Sequence, residues 1–244
     1  MKILIVGDSF VQDGSTKSLK TSYAWLAKKQ MQEIKFDIIG MIGAGNFAIG
    51  TTVLESYKNH NAVIINWSGI SRYDLIISDK TKKKLFQKPH ALSSTTTNLM
   101  FTHSGGPSSY QLHTTGETFK NLYKYHYDDV HKTIETLQMI MLVNLFLDKI
   151  PVLNLFSYDC QLNLEEILQK YKWTNFIPWE KFWFHKNKST NTGGIIDWCY
   201  DNSGNDLYYH PNTDKDPKGR HPTNLGHAEF SKKILVPWIN KLND

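Results

Sequence analysis

Cysteine is almost missing from this chain, with only Cys160 and Cys199 among 244 residues. Two thiols cannot build a disulfide framework, so they are read as small buried side chains in a reduced, intracellular type of protein. Long hydrophobic runs are missing as well. The longest, Met139 to Leu147, is interrupted by Asn144 and is too short to span a bilayer. Met1-Lys2 leads directly into a short strand-like run and a polar turn, so no secretory signal and no membrane contact are expected, and the protein reads as cytoplasmic or otherwise soluble. Positive charge is in modest excess, +5, and scattered except for Lys80-Thr81-Lys82-Lys83-Lys84. That run has no interleaved aromatics and no nucleic-acid motif beside it; it reads as a solvated loop, and no nucleic-acid partner is expected. His221 and His227 lack the spacing of a helical ligand pair and have no carboxylate or cysteine cluster with them, so no metal is expected. Gly43-Ala44-Gly45 falls short of the full glycine fingerprint of nucleotide-binding turns, and no other cofactor is expected.

What is present suits a globular chain able to bury a substantial core, with no internal repeat and no linker, so residues 1–244 are read as one domain. Ile3 to Val6, Phe36 to Ile42 and Ala62 to Trp67 are apolar strand-like runs, separated by helical patterns near Ser22 to Met31 and Ala48 to Lys58. Continuous apolar strands alternating with helices imply an α/β fold, a parallel sheet covered by helices on both faces. Right-handed crossovers then bring the strand ends to one edge. From about 70 to 116 the pattern dissolves into Ser, Thr, Gly, Lys and His, which reads as an irregular insertion roofing that edge. A long helical region over Glu117 to Asp148, a fourth strand at Pro151 to Phe156 and a helix at Asn163 to Tyr171 follow. Trp173 to Asn202 is aromatic-rich and irregular, and Ser231 to Leu242 closes the chain as a helix. The aromatics suit a core better than a carbohydrate-stacking surface.

Two short motifs carry chemistry. Gly7-Asp8-Ser9-Phe10 stands where the first strand must stop and turn, which presents the Ser9 hydroxyl at the carboxyl edge of the sheet beside free backbone N–H groups. His221-Pro222-Thr223 stands before the last helical stretch, with His227 read as packing or capping within it. A serine early and a histidine late form a nucleophile-and-base arrangement; the plainer reading is a turn with Asp8 and Ser9 as local caps.

With these blocks in order, the chain resembles the SGNH hydrolases, the GDSL esterase/lipase superfamily. The resemblance rests on Gly7-Asp8-Ser9 after the first strand, Ile42-Gly43-Ala44-Gly45-Asn46 after the second, and His221-Pro222-Thr223 near the end. It implies a three-layer α/β/α, flavodoxin-like fold, with Ser9 as nucleophile, His221 as general base, and the backbone N–H groups of Ser9 and Gly43 as oxyanion donors, Gly45 being the alternative to Gly43. Two blocks depart from the family pattern. Where the family has Gly-x-Asn-Asp, this chain has Gly69-Ile70-Ser71-Arg72, so the missing asparagine leaves Ser68, Ser71, Asn46 and Arg72 as candidate replacements. Asn66 lies within the strand and is not promoted to that role. The aspartate usually three residues before the histidine is Lys218 here; Asp216 is the candidate acid, Asp214 the weaker one, and a dyad oriented by a backbone carbonyl the remaining option. The expected activity is ester hydrolysis through an acyl-enzyme on a small-molecule or carbohydrate ester, O-acetyl groups being the family's habit. The alternative is a non-catalytic carbohydrate- or ligand-binding module on the same fold.

Overall fold

Ile, Val and Leu fill both faces of the runs that become the central strands, and such runs are stable only inside a sheet covered twice. The computed structural model describes residues 1–12, 21–41, 44–70, 72, 74–76, 99–101, 128–158, 164–185, 193–202 and 221–242. Its strands are β1 (Lys2–Gly7), β2 (Lys35–Gly40), β3 (Ala62–Trp67), β4 (Asp74–Ile76), β5 (Leu99–Phe101) and β6 (Val152–Phe156). Strands β2, β1, β3 and β6 lie side by side in that order, all pairs parallel. This is the expected doubly covered α/β sheet. Its carboxyl edge gathers Gly7, Gly40, Trp67 and Phe156.

The helices are α1 (Ser9–Gln12), α2 (Tyr23–Gln30), α3 (Asn46–Ser56), α4 (Asp129–Phe146), α5 (Leu164–Lys170), α6 (Ile195–Asn202), α7 (Asn224–Phe230) and α8 (Val236–Asn240). Strand residues alternate between two cores, as the two-residue period of a strand requires. Leu4, Val6, Val63 and Ile65 pack on one face with α3 and α4. Ile3, Ile5, Ala62 and Ile64 pack on the other with α2, α6, α7 and the chain's last turns. Cys199 belongs to that second core, its thiol pushed up to about 12 by burial and by Asp197.

Three expectations need correction. The segment 70–116 is not wholly irregular, since β4 and β5 pair antiparallel as a small second sheet. The stretch read as irregular up to Asn202 ends in helix α6, whose Ile195, Ile196, Trp198 and Cys199 are buried, a pattern masked by the surrounding aromatics. The closing helix begins at Asn224, and a π-helical turn over Ser231–Leu235 joins α7 to α8. Of the helix expected over Glu117 to Asp148, residues 117–127 lie outside the described residues.

Asn144, which broke the apolar run of the sequence, has a purpose inside. Trp67 Nε1 donates to Asn154 Oδ1 at 2.9 Å, Asn154 Nδ2 donates to Asn144 Oδ1 at 3.2 Å, and Asn144 Nδ2 donates to the Ile140 carbonyl at 2.9 Å. This chain of amides joins β3, β6 and α4 through the first core. No described helix is long and apolar enough to cross a membrane.

Candidate active site

Strand β1 ends at Gly7 because no side chain fits there. A Cβ would stand 2.6 Å from Val11 Cγ2 and 2.7 Å from Asn66 Cβ, so only glycine lets the chain fold from strand directly into α1. Ser9 opens that helix, buried at the carboxyl edge of the sheet. Its Oγ lies 2.8 Å from His221 Nε2, across 212 residues of sequence. His221 stands just before α7, whose start is fixed by Thr223: its side chain accepts from the Gly226 N–H at 3.1 Å. The imidazole also packs on Phe10, with ring centroids 4.9 Å apart, and Phe10 meets Tyr158 edge-on at 5.3 Å. The ring is thus held between a hydroxyl and an aromatic face. For Nε2 to accept the Ser9 proton, the ring's hydrogen must sit on Nδ1.

Beneath Ser9 lies a residue that sequence reasoning treated as a turn cap. Asp8 is fully buried, and its carboxylate is surrounded by donors. Oδ1 accepts from the Phe10 N–H at 3.0 Å and from Asn66 Nδ2 at 2.9 Å; Oδ2 accepts from Ser157 Oγ at 3.0 Å and from Arg72 Nη1 at 3.3 Å. Asn66 Nδ2 also donates to Ser157 Oγ at 2.8 Å. A buried carboxylate survives only with such partners, and one of them is a cation. The signal in the sequence was Asn66, a polar residue next to last in an otherwise apolar strand. Nearby, burial and the charge of Asp8 push the Tyr23 hydroxyl well above its ordinary range.

Arg72 spans two of the motif blocks. Its Nη1 also donates to the Ala44 carbonyl at 3.0 Å, so one nitrogen ties the nucleophile turn to the block after β2. Asn46, a candidate oxyanion donor, is used differently. Its Nδ2 donates to the Ser68 carbonyl and to Thr136 Oγ1, both at 3.1 Å, while its Oδ1 accepts from the Ser68 N–H at 2.7 Å. Both amide hydrogens are thereby spent, one on the loop after β3 and one on α4. Asn46→Ala should lose about 2–3 kcal/mol by denaturant unfolding, because it strands buried backbone groups of Ser68; a loss under about 0.5 kcal/mol would show that the staple is not needed. Ser68 Oγ, in contrast, is buried with no hydrogen-bond partner among the described residues. His227, read from sequence as packing or capping within the last helix, stands in α7 and packs against α2: Nδ1 accepts from the Tyr23 N–H at 3.3 Å and its ring lies against the Tyr23 ring. Gly43, Ser71, Asp214 and Asp216 lie outside the described residues.

At the level of sequence, no family model and no curated protein matches the chain. Solved structures similar to it include a lipase/acylhydrolase from Enterococcus faecalis, with 12% identity, 98% of this chain and 95% of that one covered, and a TM-score of 0.47. Another is a catalytic mutant of an acetylxylan esterase from Geobacillus stearothermophilus, with 12% identity over 99% of this chain and 93% of that one, TM-score 0.45. A member of the lipolytic protein G-D-S-L family from Veillonella parvula DSM 2008 is 9% identical over 96% of each chain, TM-score 0.45.

Proposed function

We propose that this chain is a serine hydrolase that cleaves esters through an acyl-enzyme on Ser9. The observation that carries the reading is the 2.8 Å contact between Ser9 Oγ and His221 Nε2, made by residues at opposite ends of the chain at the edge where parallel sheets bind ligands. Ser9 Oγ attacks the substrate carbonyl as His221 Nε2 takes its proton. The oxyanion is met by the backbone N–H groups of Ser9 and Gly43. Ser68 and Arg72 are the side chains proposed to take the place of the missing asparagine: the first has an uncommitted hydroxyl, and the second brings positive charge to the same edge. His221 then returns the proton to the departing alkoxide, and water releases the acyl group by the same steps in reverse order. Asp216 is proposed to orient the other imidazole nitrogen. The substrate class we favour, a small acyl group on a carbohydrate, is supported by the motif resemblance. The aromatic side chains Phe156, Phe182 and Phe184 lend it no support, being stacked on one another in the first core.

A fluorophosphonate probe tests the reading. Wild type should be labelled at neutral pH and Ser9→Ala should not be. A folded wild type that takes no label and hydrolyses no acetate ester would overturn the reading in favour of a binding module.

A further inference from the structure

Helix α3 begins immediately after the block that carries Gly43, and its first turn is closed by a side chain from elsewhere. Asp74, the first residue of β4, accepts from the Gly45 N–H through Oδ1 at 2.7 Å and from the Ala48 N–H through Oδ2 at 2.8 Å. One carboxylate thus takes up two of the backbone donors that a helix start leaves without internal partners. The approach is so close that a Cβ on residue 45 would lie 2.7 Å from Asp74 Oδ2 and 2.9 Å from its Cγ, which makes glycine a requirement of the contact. Gly45, an alternative oxyanion donor by sequence, has its N–H committed here.

We propose that Asp74 is a positioning residue for the proposed ester hydrolysis, a strand of the 70–116 segment clamping the start of α3 and with it the loop to which the proposed oxyanion donor Gly43 belongs. This rests on the hydrolase reading of the site. The clamp is anchored in a polar cluster. Asn46, the first residue of α3, holds both backbone groups of Ser68, and Arg72 holds the Ala44 carbonyl on the other side of Gly45. Loosening the Asp74 end frees Gly45, the residue between those two anchors.

The clamp is also sensitive to acid. Burial pushes the Asp74 carboxyl up to about 6, against the opposing pull of its hydrogen bonds from Ala48 and Gly45 and of the charges on Lys132 and Arg72. Of the other charges packed here, Lys132 on α4 is paired with Glu135, and Arg72 with Asp8. An ionised carboxylate accepts both N–H bonds, whereas a protonated one turns an oxygen into a donor and gives up one of them. The loop therefore loses a tether as pH falls through about 6. The sign for folding is the opposite: a raised carboxyl binds its proton more tightly folded than unfolded, so this group favours folding increasingly as pH drops from about 6 toward its ordinary value near 3.9. Acid should weaken the site without unfolding the protein through Asp74.

Two readouts test the proposal. In wild type the backbone amide resonances of Gly45 and Ala48 should titrate together with a midpoint near 6, and in Asp74→Asn that titration should vanish. The rate of Ser9 labelling by a fluorophosphonate should fall more steeply in wild type than in Asp74→Asn as pH drops through about 6, the extra loss in wild type amounting to about tenfold. At pH 8 it should be lower by about tenfold in both Asp74→Asn and Gly45→Ala, the loss expected for one charge-assisted hydrogen bond. Gly45 and Ala48 amides indifferent to the substitution, or labelling profiles in the variants that match wild type, would overturn the proposal. Failure of the hydrolase reading looks different: wild type takes no label at any pH, which removes the catalytic half of the proposal, while the amide titration still reports whether Asp74 holds the loop.

Discussion

Replacing His221 with glutamine should lower kcat for acetate-ester hydrolysis by a factor on the order of 10⁴ or more while KM changes little. Glutamine can fill much of the same space and keep a hydrogen bond to Ser9, but it has no basic nitrogen to receive the proton when Oγ attacks. The 2.8 Å contact would be preserved in form and lost in function. The wild-type rate should rise with pH as the imidazole sheds its proton, and the residual rate of the variant should keep only the smaller rise that belongs to Asp74. Stability is a useful control, because His221 is only half-buried and stands outside the folded core. A variant within tenfold of wild type would show that some other group takes the proton.

The second large effect concerns Arg72. Methionine at this position keeps much of the volume and removes the charge, leaving the Asp8 carboxylate fully buried with only neutral donors. Removing one partner of a buried ion pair costs about 3–5 kcal/mol. The lower end applies here, because Phe10, Asn66 and Ser157 still donate to Asp8. Urea unfolding should therefore show a loss of about 3 kcal/mol for Arg72→Met, and much of it should be recovered when Asp8→Asn is added, since no charge then remains to be compensated. Labelling of Ser9 should weaken in the single variant too, because a bare negative charge one residue away opposes the forming oxyanion. Additive losses in the double variant would show that the two side chains do not act as a pair.

Much of this was legible in the sequence. Apolar strands without polar alternation required a sheet covered twice, and the serine and histidine stood at strand and helix ends where a sheet of that kind brings them to one edge. What stayed hidden was hidden for physical reasons. Asp8 looked like a turn residue because only its bond from Phe10 is local, while Asn66, Arg72 and Ser157 come from stretches that no local spacing connects to it. Asn46 carried the right chemistry for an oxyanion donor, yet its use depends on where the Ser68 backbone lies, a tertiary fact. Asp74 sat in a stretch of low apparent order, and its role appears only when β4 is brought against the start of α3. Helix α6 escaped because Trp, Tyr and Phe around it blurred the helical period.

The buried amide chain through Trp67, Asn154 and Asn144 has a consequence for how the strands find their alignment. Strands β3 and β6 are apolar on both sides, so greasy side chains alone would accept several slid pairings almost equally well. In the observed one Asn154 lies opposite Ile65 and two residues from Trp67 on the same face, whose indole it receives. Sliding β6 by one residue would turn the Asn154 amide into the opposite core, the one that holds Ile3, Ile5 and Ile64, where leaving it unpaired costs about 1–3 kcal/mol. Sliding by two toward Val63 would keep the face but take the amide away from Trp67. The same asparagine that spoils the hydrophobicity of the strand thus acts as a key that fits one alignment, and by fixing β6 against β3 it also fixes where Ser157 stands when it reaches for Asp8.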